Sequence, residues 1–210
     1  MTLPTALMTE LPYRAALAGL FMVLGILRVV SHRQGGTLKE TPFTQKEGRL
    51  IGLLRLVLTA LTVGVALIYL AWPQAVIWAQ IPLPASLRWM GAVLAVICLA
   101  LFWWVNHTLG RNFSATLRIR DDHKLMTNGP YAYVRHPMYT VLFSMLLAFS
   151  LLAANWVSFL GGSALTLMIT IFRTPKEEAM LRAAFGQAYI DYCAKTPRYF
   201  PSLSSLLSTN

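Results

Sequence analysis

The stretch GPYAYVRHPMY, residues 129–139, decides the fold together with the apolar run that follows it to about residue 172. Three tyrosines, an arginine and a histidine stand directly before a run that is long enough to enter a membrane and return. Ionisable groups are costly to hold beside hydrocarbon, and they are kept there mainly for function. A second polar cluster, RTPKEE at residues 173–178, begins where the run ends. The pattern predicts two polar clusters at the two ends of one membrane hairpin.

The composition of the whole chain indicates an integral membrane protein. Of the 210 residues, 56% are hydrophobic and 12% are charged, against about 25% charged residues in an average soluble domain. The mean hydropathy is +0.56. Apolar segments of roughly twenty residues recur along the chain, and each is long enough to cross a bilayer as a helix. We therefore predict an all-α integral membrane protein.

The apolar segments predict about five transmembrane helices. Three crossings fall at about residues 13–30, 51–72 and 87–105, and two shorter runs of about sixteen residues flank residues 153–156. Because such a run is marginal for a full crossing, we interpret the pair as a short C-terminal helical hairpin. Residues 176–195 carry apolar side chains among charges and predict a cytosolic amphipathic helix on the membrane surface.

The distribution of lysine and arginine predicts the orientation of the chain. These residues concentrate in the loop after the first crossing, in residues 106–137 and in the C-terminal tail, whereas the loop after the second crossing has no charge. The positive-inside rule therefore places both polar clusters in the cytoplasm and the N-terminus outside. The net charge of +10 suits contact with anionic lipid headgroups. No basic soluble domain is present to bind nucleic acid.

The crossings and clusters divide the chain into three parts. These are residues 1–105 with the first three crossings, residues 106–201 with the polar loop, hairpin and amphipathic helix, and a tail at residues 202–210. A hairpin returns to the side from which it leaves, so its ends near Tyr139 and Arg173 should be neighbours. The sequence therefore predicts one pocket there, and no His or Cys spacing in it suits a metal site.

The pattern Gly-Pro-Tyr-x-Tyr-Val-Arg-His-Pro-x-Tyr at residues 129–139 resembles the signature of the isoprenylcysteine carboxyl methyltransferase and phospholipid methyltransferase superfamily. The downstream residues that agree with it are, in order, Arg173, Glu177-Glu178, Leu181, Phe185-Gly186, Tyr189, Tyr192, Pro197-Arg198 and Pro201. Upstream, residues 109–114 and 125–129 are also similar to that family. The resemblance covers about residues 100–201 and implies an integral membrane methyltransferase.

The resemblance implies that S-adenosylmethionine binds on the cytosolic side and that S-adenosylhomocysteine leaves as the product. The residues expected at this cofactor are Leu125, Tyr131, Val134, Arg135, His136, Pro137, Tyr139 and Glu178. Tyr131 and His136 suit the cofactor carboxylate as hydrogen-bond donors, and Glu178 suits the ribose hydroxyls as an acceptor. Tyrosine faces would attract the sulfonium charge.

The methyl acceptor is expected to contact Arg173 and Glu177, the predicted catalytic residues. A carboxylate acceptor needs no general base, and Arg173 would orient it, whereas an amine acceptor needs Glu177 or His136 to remove a proton. We favour carboxyl O-methylation of a lipid-like or prenylated small-molecule or peptide acceptor, which enters laterally from the membrane. The alternatives are a phospholipid (ethanolamine) N-methyltransferase, a nicotinamide-dependent membrane reductase and a non-enzymatic scaffold or transporter.

Several of these residues also have simpler interpretations. Arg135 and Arg173 carry the charge of ordinary positive-inside anchors, whose side chains reach toward lipid headgroups. Glu177 or Glu178 near a helix start would complement the helix dipole. His136 would cap the first helix of the hairpin. Whether these side chains lie together or apart distinguishes a shared pocket from such separate roles.

Overall fold

The computed structural model describes residues 5–35, 49–110 and 125–201, and these residues form helices and turns without a β-strand. The helices are α1 Thr5–Gly35, α2 Arg49–Ala71, α3 Ala85–Leu109, α4 Pro130–Tyr133, α5 Pro137–Ala153, α6 Trp156–Met168, α7 Thr174–Phe185 and α8 Gln187–Lys195. A 3₁₀ helix at Pro73–Ala79 connects α2 to α3. The predicted tail at residues 202–210 and part of the upstream motif, residues 111–114, lie outside the described residues.

Within the described residues, four helical stretches are long and apolar enough to cross a membrane. They are Thr9–Gln34, Leu50–Ala71, Ala85–Leu109 and Trp156–Phe185. Helix α5 is also apolar, but its 17 residues are at the lower limit for a crossing of about 30 Å of hydrocarbon. The all-α membrane fold is confirmed by these helices. The count of five crossings stays a prediction.

The last crossing differs from what the sequence predicted. We expected a short helix that ended near residue 172 and a separate surface helix after it. Instead, the chain stays helical from Trp156 to Phe185 through a π-turn at Ile169–Arg173. Pro175 lacks an N–H group, and in a regular α-helix its ring would clash with the carbonyl of Ile171. The π-turn directly before Pro175 interrupts the regular α-helical pattern where that clash would arise.

The predicted amphipathic helix is likewise two helices rather than one. Gly186 has a φ of 53°, a value that favours glycine, and it ends α7 and begins α8. The chain therefore turns sharply between the two helices. This turn brings the segment after α8 back toward the start of α5.

Helices α3 and α5 pack most closely in the bundle. A Cβ atom at Gly91 would lie 2.8 Å from the carbonyl oxygen of Ala148 and 2.9 Å from Cβ of Leu151, so only glycine allows this approach. The core around this contact includes Leu17 of α1 and Tyr69 of α2, which are fully buried. The first predicted part of the chain, residues 1–105, and the second, residues 106–201, therefore share one hydrophobic core.

A largely buried network around an ion pair joins four helices, α1, α2, α3 and α5, at the far end of the bundle, the end at which α3 and α6 begin. Arg88 donates from Nη1 and Nη2 to the two carboxylate oxygens of Glu10, at 2.7 and 2.8 Å. Its Nη2 also lies 3.0 Å from the Tyr69 hydroxyl, and its Nε donates to the Leu152 carbonyl at 3.0 Å. The ring of Tyr13 lies 3.6 Å from the guanidinium carbon. This network was not predicted, because each of its residues lies near the end of a crossing, where polar side chains are common.

We expect the variant Arg88→Gln to lower the free energy of unfolding by about 3–5 kcal/mol, because it leaves the Glu10 carboxylate buried without its partner. The midpoint of thermal unfolding in detergent measures this loss, at roughly 2–4 °C per kcal/mol for a chain of this length. The matched control is Arg33→Gln, which changes an exposed arginine of α1.

The double variant Glu10→Gln/Arg88→Gln should recover part of the loss, since no charge then stays buried alone. A double variant that loses the sum of both single losses would show that the two residues are not coupled.

Candidate active site

The two polar clusters lie together at the site end, which is the end of the bundle where α5 begins. The chain passes from α4 through residues 134–136 into α5, whose first turn holds Pro137, a position that needs no N–H partner. The N–H groups of Arg135 and His136 donate to the carbonyls of Pro197 and Arg198, at 2.8 and 2.9 Å. The C-terminal segment is thereby held along the loop.

The carboxylate of Glu178 is the centre of this cluster. Its Oε1 lies 3.2 Å from His136 Nε2 and 3.2 Å from Arg135 Nη1. Arg198 donates from Nε to Oε1 at 3.0 Å and from Nη2 to Oε2 at 2.7 Å. The side chain of Glu178 is 6% exposed, whereas that of Arg198 is 53% exposed. One buried carboxylate therefore joins the loop, α7 and the C-terminal segment.

Tyr139 connects Glu177 to Arg173, the residue predicted to contact the methyl acceptor. Its hydroxyl donates to Glu177 Oε2 at 2.6 Å and accepts from Arg173 Nε at 2.8 Å. The predicted convergence of the two hairpin ends is thus observed as direct hydrogen bonds. The chemical roles of these three residues stay predictions. The contacts also show that Glu177 does more than complement a helix dipole.

Aromatic side chains enclose His136 on two sides. The rings of Tyr139 and Tyr199 lie 5.7 and 5.8 Å from its ring, measured between centroids. The Tyr199 hydroxyl donates to Thr174 Oγ1 at 2.8 Å, and the Thr140 hydroxyl donates to the Tyr199 carbonyl at 2.7 Å. Because Nε2 of His136 faces Glu178, Nδ1 is the ring nitrogen that would serve a ligand. The sequence analysis did not assign a role to Tyr199.

Arg135 points into the protein rather than toward lipid. Its side chain is 12% exposed, and Nη1 donates to Cys193 Sγ at 2.7 Å as well as lying beside Glu178. The interpretation of Arg135 as an ordinary membrane anchor is therefore wrong. A guanidinium that is buried against a carboxylate holds the loop against α7 and α8.

The remaining predicted cofactor residues are buried or half-buried. Val134 and Pro137 are buried, and Leu125 is half-buried. Tyr131 packs against the core, and its carbonyl accepts a hydrogen bond from the Tyr192 hydroxyl at 2.6 Å. Burial raises the pKa of Tyr131, and the charge of Glu177 raises it further. The Tyr131 phenol thus stays protonated at neutral pH and can donate a hydrogen bond.

An apolar cavity of about 450 Å³ opens beside Tyr139 and is enclosed mainly by α1, α2, α5 and α6. Its apolar walls include Phe21, Val63, Met145 and Phe149. Lateral entry of a lipid was predicted from the sequence, but this cavity was not, because its walls come from four helices with similar apolar sequences. Among the described residues, no group of three His, Cys, Asp or Glu side chains is placed to hold a metal ion.

These features define a helical membrane protein with a buried polar cluster next to an apolar cavity. The model of the isoprenylcysteine carboxyl methyltransferase family matches residues 90–183. This part of the chain holds most of the polar cluster, and it is similar to that family. The resemblance that the motifs carried is thereby confirmed.

Named relatives agree with this assignment. A protein-S-isoprenylcysteine O-methyltransferase of Dictyostelium discoideum is 34% identical over 109 residues, which are 51% of this chain and 46% of the relative. One from Schizosaccharomyces pombe is 38% identical over 94 residues, which are 44% of this chain and 40% of the relative. The chain thus spans less than half the length of these two relatives.

The fold resembles one solved structure over nearly its whole length. That structure is a eukaryotic intramembrane Ras methyltransferase, an isoprenylcysteine carboxyl methyltransferase. The TM-score is 0.54 at 19% identity, and the likeness covers 92% of this chain and 68% of the other. The comparison supports the fold of the first two helices, which the family model does not reach.

We expect Glu178→Gln to loosen the C-terminal segment, because it removes the anion shared by His136, Arg135 and Arg198. The loss of a buried ion pair should raise the fraction of molecules in which the C-terminal segment is detached at least about tenfold. Tryptic cleavage after Lys195 and Arg198, followed by mass spectrometry, measures this population.

The matched control for that cleavage is Glu177→Gln, since Glu177 bonds Tyr139 and not the C-terminal segment. Equal cleavage rates in the Glu178→Gln and Glu177→Gln variants would contradict the central place of Glu178.

Proposed function

We propose that the protein is a membrane methyltransferase that transfers a methyl group from S-adenosylmethionine to the carboxylate of a lipid-like acceptor of the isoprenylcysteine type. The observation that carries this proposal is the position of Tyr139. Its side chain lines the apolar cavity, and its hydroxyl bonds both Glu177 and Arg173. An amphiphile whose tail fills the cavity has its head at these polar groups.

The residues of the cluster suit transfer to a carboxylate. When bound, S-adenosylmethionine supplies an electrophilic methyl group on a sulfonium that leaves as a neutral thioether. An acceptor carboxylate is ionised at neutral pH, so no side chain has to remove a proton. Arg173 supplies the positive charge that orients the carboxylate, and Tyr139 fixes Arg173 through its hydrogen bond. Glu177 in turn fixes Tyr139, and alignment of this kind supplies much of the rate in a displacement reaction.

The side chains around the loop fit the donor and acceptor groups of S-adenosylmethionine. Tyr131 provides a hydrogen-bond donor for its carboxylate, and Nδ1 of His136 provides a second one when both ring nitrogens carry a proton. Glu178 is the acceptor for its ribose hydroxyls, because the bond from Arg198 reaches solvent and is the one that a ligand can replace. Val134 and Leu125 offer apolar surface for its adenine ring. This assignment keeps the roles that the sequence suggested.

Transfer to an amine is less well supported by the same contacts. An amine acceptor needs a base, and the two candidates are Glu177 and His136. Glu177 already accepts a 2.6 Å hydrogen bond from Tyr139, and His136 Nε2 is directed at the buried Glu178. Neither group is placed to take a proton without breaking the cluster. Carboxyl transfer requires neither group to take a proton.

We place the site end of the bundle in the cytoplasm and the N-terminus outside. The loops at the site end carry most lysines and arginines, and the loop at the far end, residues 73–84, carries none. This asymmetry is the positive-inside signature. A cytoplasmic site also has direct access to a soluble cofactor, while the acceptor stays in the membrane.

Product analysis tests the acceptor class. The full chain in lipid nanodiscs receives S-adenosylmethionine labelled in the methyl group, with an S-farnesylated cysteine or with phosphatidylethanolamine. We expect label in the farnesylated cysteine as a methyl ester, which mild base releases as methanol. Label that appears in phosphatidylethanolamine and resists base would contradict the carboxylate proposal and favour N-methylation.

The variant Arg173→Gln should lower kcat at least about a hundredfold, the usual cost of removing one group that holds reacting charge. Tyr139→Phe should lower kcat less, because it loosens Arg173 without removing it. Ester formation from the farnesylated cysteine measures both, and S-adenosylhomocysteine binding should persist in both variants.

The control for these variants is Arg182→Gln, which changes an exposed arginine of α7. A loss of less than about threefold in Arg173→Gln, where a group that orients reacting charge usually costs far more, would exclude this role.

A further inference from the structure

A buried hydroxyl in the cavity wall has no hydrogen-bond partner in the part of the chain that the structure describes. It belongs to Ser158 of α6, which lines the cavity and is 4% exposed. The residue is held in place, because its N–H group donates to Asn155 Oδ1 at 3.0 Å in the first turn of α6. A buried hydroxyl without a partner is costly. A group inside the cavity can supply the partner that these residues do not.

Two further hydroxyls line the same end of the cavity. Thr62 and Ser150 each donate to a carbonyl of their own helix at 2.8 Å, so their protons are used while their oxygens can still accept. Thr62 faces α6 one turn from Ser158, since its Oγ1 would lie 2.7 Å from a Cβ atom at Gly161. The Ser150 carbonyl accepts from the N–H group of Asn155 at 3.1 Å, directly before α6. A ligand hydroxyl, which both accepts and donates, complements this set.

These hydroxyls lie at the opposite end of the cavity from the polar cluster. Tyr139 and Ser150 both line the cavity, and along α5 their Cα atoms are roughly 16 Å apart at 1.5 Å per residue. The wall between them is apolar and includes Met145 and Phe149. The cavity therefore has hydrogen-bonding groups at both ends, and the layout matches an amphiphile with a polar head and a second polar group at the end of its tail.

We infer that Ser158 is a specificity-determining residue, which binds a hydroxyl at the distal end of the tail of a single-chain amphiphile whose head lies at Tyr139. The tail hydroxyl accepts from Ser158 Oγ and donates to the oxygen of Thr62 or Ser150. A hydroxyl at the middle of the tail is buried against mainly apolar walls instead, where it loses its hydrogen bonds to water. The pairing thus selects the position of the hydroxyl as well as its presence. The inference rests on the proposed function only in identifying this amphiphile with the methyl acceptor.

Binding without turnover tests this pairing. The full chain in a neutral detergent is mixed with dodecanoate, with ω-hydroxydodecanoate or with an isomer that carries the hydroxyl at mid-chain, and native mass spectrometry measures the bound fraction. We expect the wild type to retain the ω-hydroxy acid at least as well as dodecanoate and roughly tenfold better than the mid-chain isomer. Ser158→Ala should lower retention of the ω-hydroxy acid roughly tenfold and leave that of dodecanoate within about twofold.

The matched control is Thr166→Val, which removes a cavity hydroxyl that its own helix already uses. Thr166 donates to the Gly162 carbonyl at 2.9 Å, about two turns further along α6, so this variant should behave like the wild type. Ser158→Ala should keep its thermal unfolding midpoint, because it removes only an unpaired hydroxyl. A lower midpoint would show that Ser158 Oγ has a partner within the protein, and it would overturn the inference.

Three binding results would also overturn the inference. In the first, Ser158→Ala retains the ω-hydroxy acid as well as the wild type does. In the second, Ser158→Ala loses dodecanoate equally, which means that the side chain only shapes the cavity. In the third, the wild type retains the ω-hydroxy acid as poorly as the mid-chain isomer, which means that water alone pairs with Ser158.

Kinetics separate this inference from the proposed function. With S-dodecylcysteine and its ω-hydroxy derivative as acceptors, Ser158→Ala should raise KM roughly tenfold for the hydroxylated acceptor alone, change kcat less than about threefold and leave S-adenosylhomocysteine binding unchanged. A fall in kcat at constant KM would overturn the inference. If the wild type prefers the ω-hydroxy acid but forms no methyl ester, the inference stands and the proposed function fails. If the farnesylated cysteine is methylated without that preference, only the inference fails.

Discussion

The structure of the site depends on one buried carboxylate among cations. Glu178 accepts from Arg198 and lies against His136 and Arg135, which come from two other parts of the chain. A buried charge is tolerated only when partners of opposite charge surround it, so these segments must meet in one arrangement. The loop before α5, the helix α7 and the segment after α8 are fixed together by this requirement. Tyr139 and Arg173 then lie beside each other as a consequence.

A second buried charge pair fixes the opposite end of the bundle. Arg88 and Glu10 join α1, α2 and α3 to the end of α5. The apolar cavity lies between the two clusters, against helices that each cluster holds in place. The site is thus a rigid polar end on a cavity with apolar walls, which is the arrangement that an amphiphile with a reactive head requires.

The first three crossings and the meeting of the two polar clusters were predictable from the sequence, because apolar length and hairpin geometry determine them. The break at Gly186 and the π-turn before Pro175 were not anticipated, although both residues were visible, since a local signal does not show whether a helix ends or bends. The pairing of Arg88 with Glu10 and the cavity between four helices were missed for another reason. They depend on contacts between segments far apart in sequence, which charge and hydropathy patterns do not encode.

Binding of S-adenosylhomocysteine by the full chain tests the central claim most directly. The thermal unfolding midpoint in detergent should rise with ligand concentration, by about 2.7 kcal/mol of added stability at a hundred times Kd. At roughly 2–4 °C per kcal/mol this is a shift of several degrees. Tyr131→Phe should need more ligand for the same shift, because one proposed donor is lost. An unchanged midpoint at saturating ligand would contradict the assignment of the polar cluster as a cofactor site.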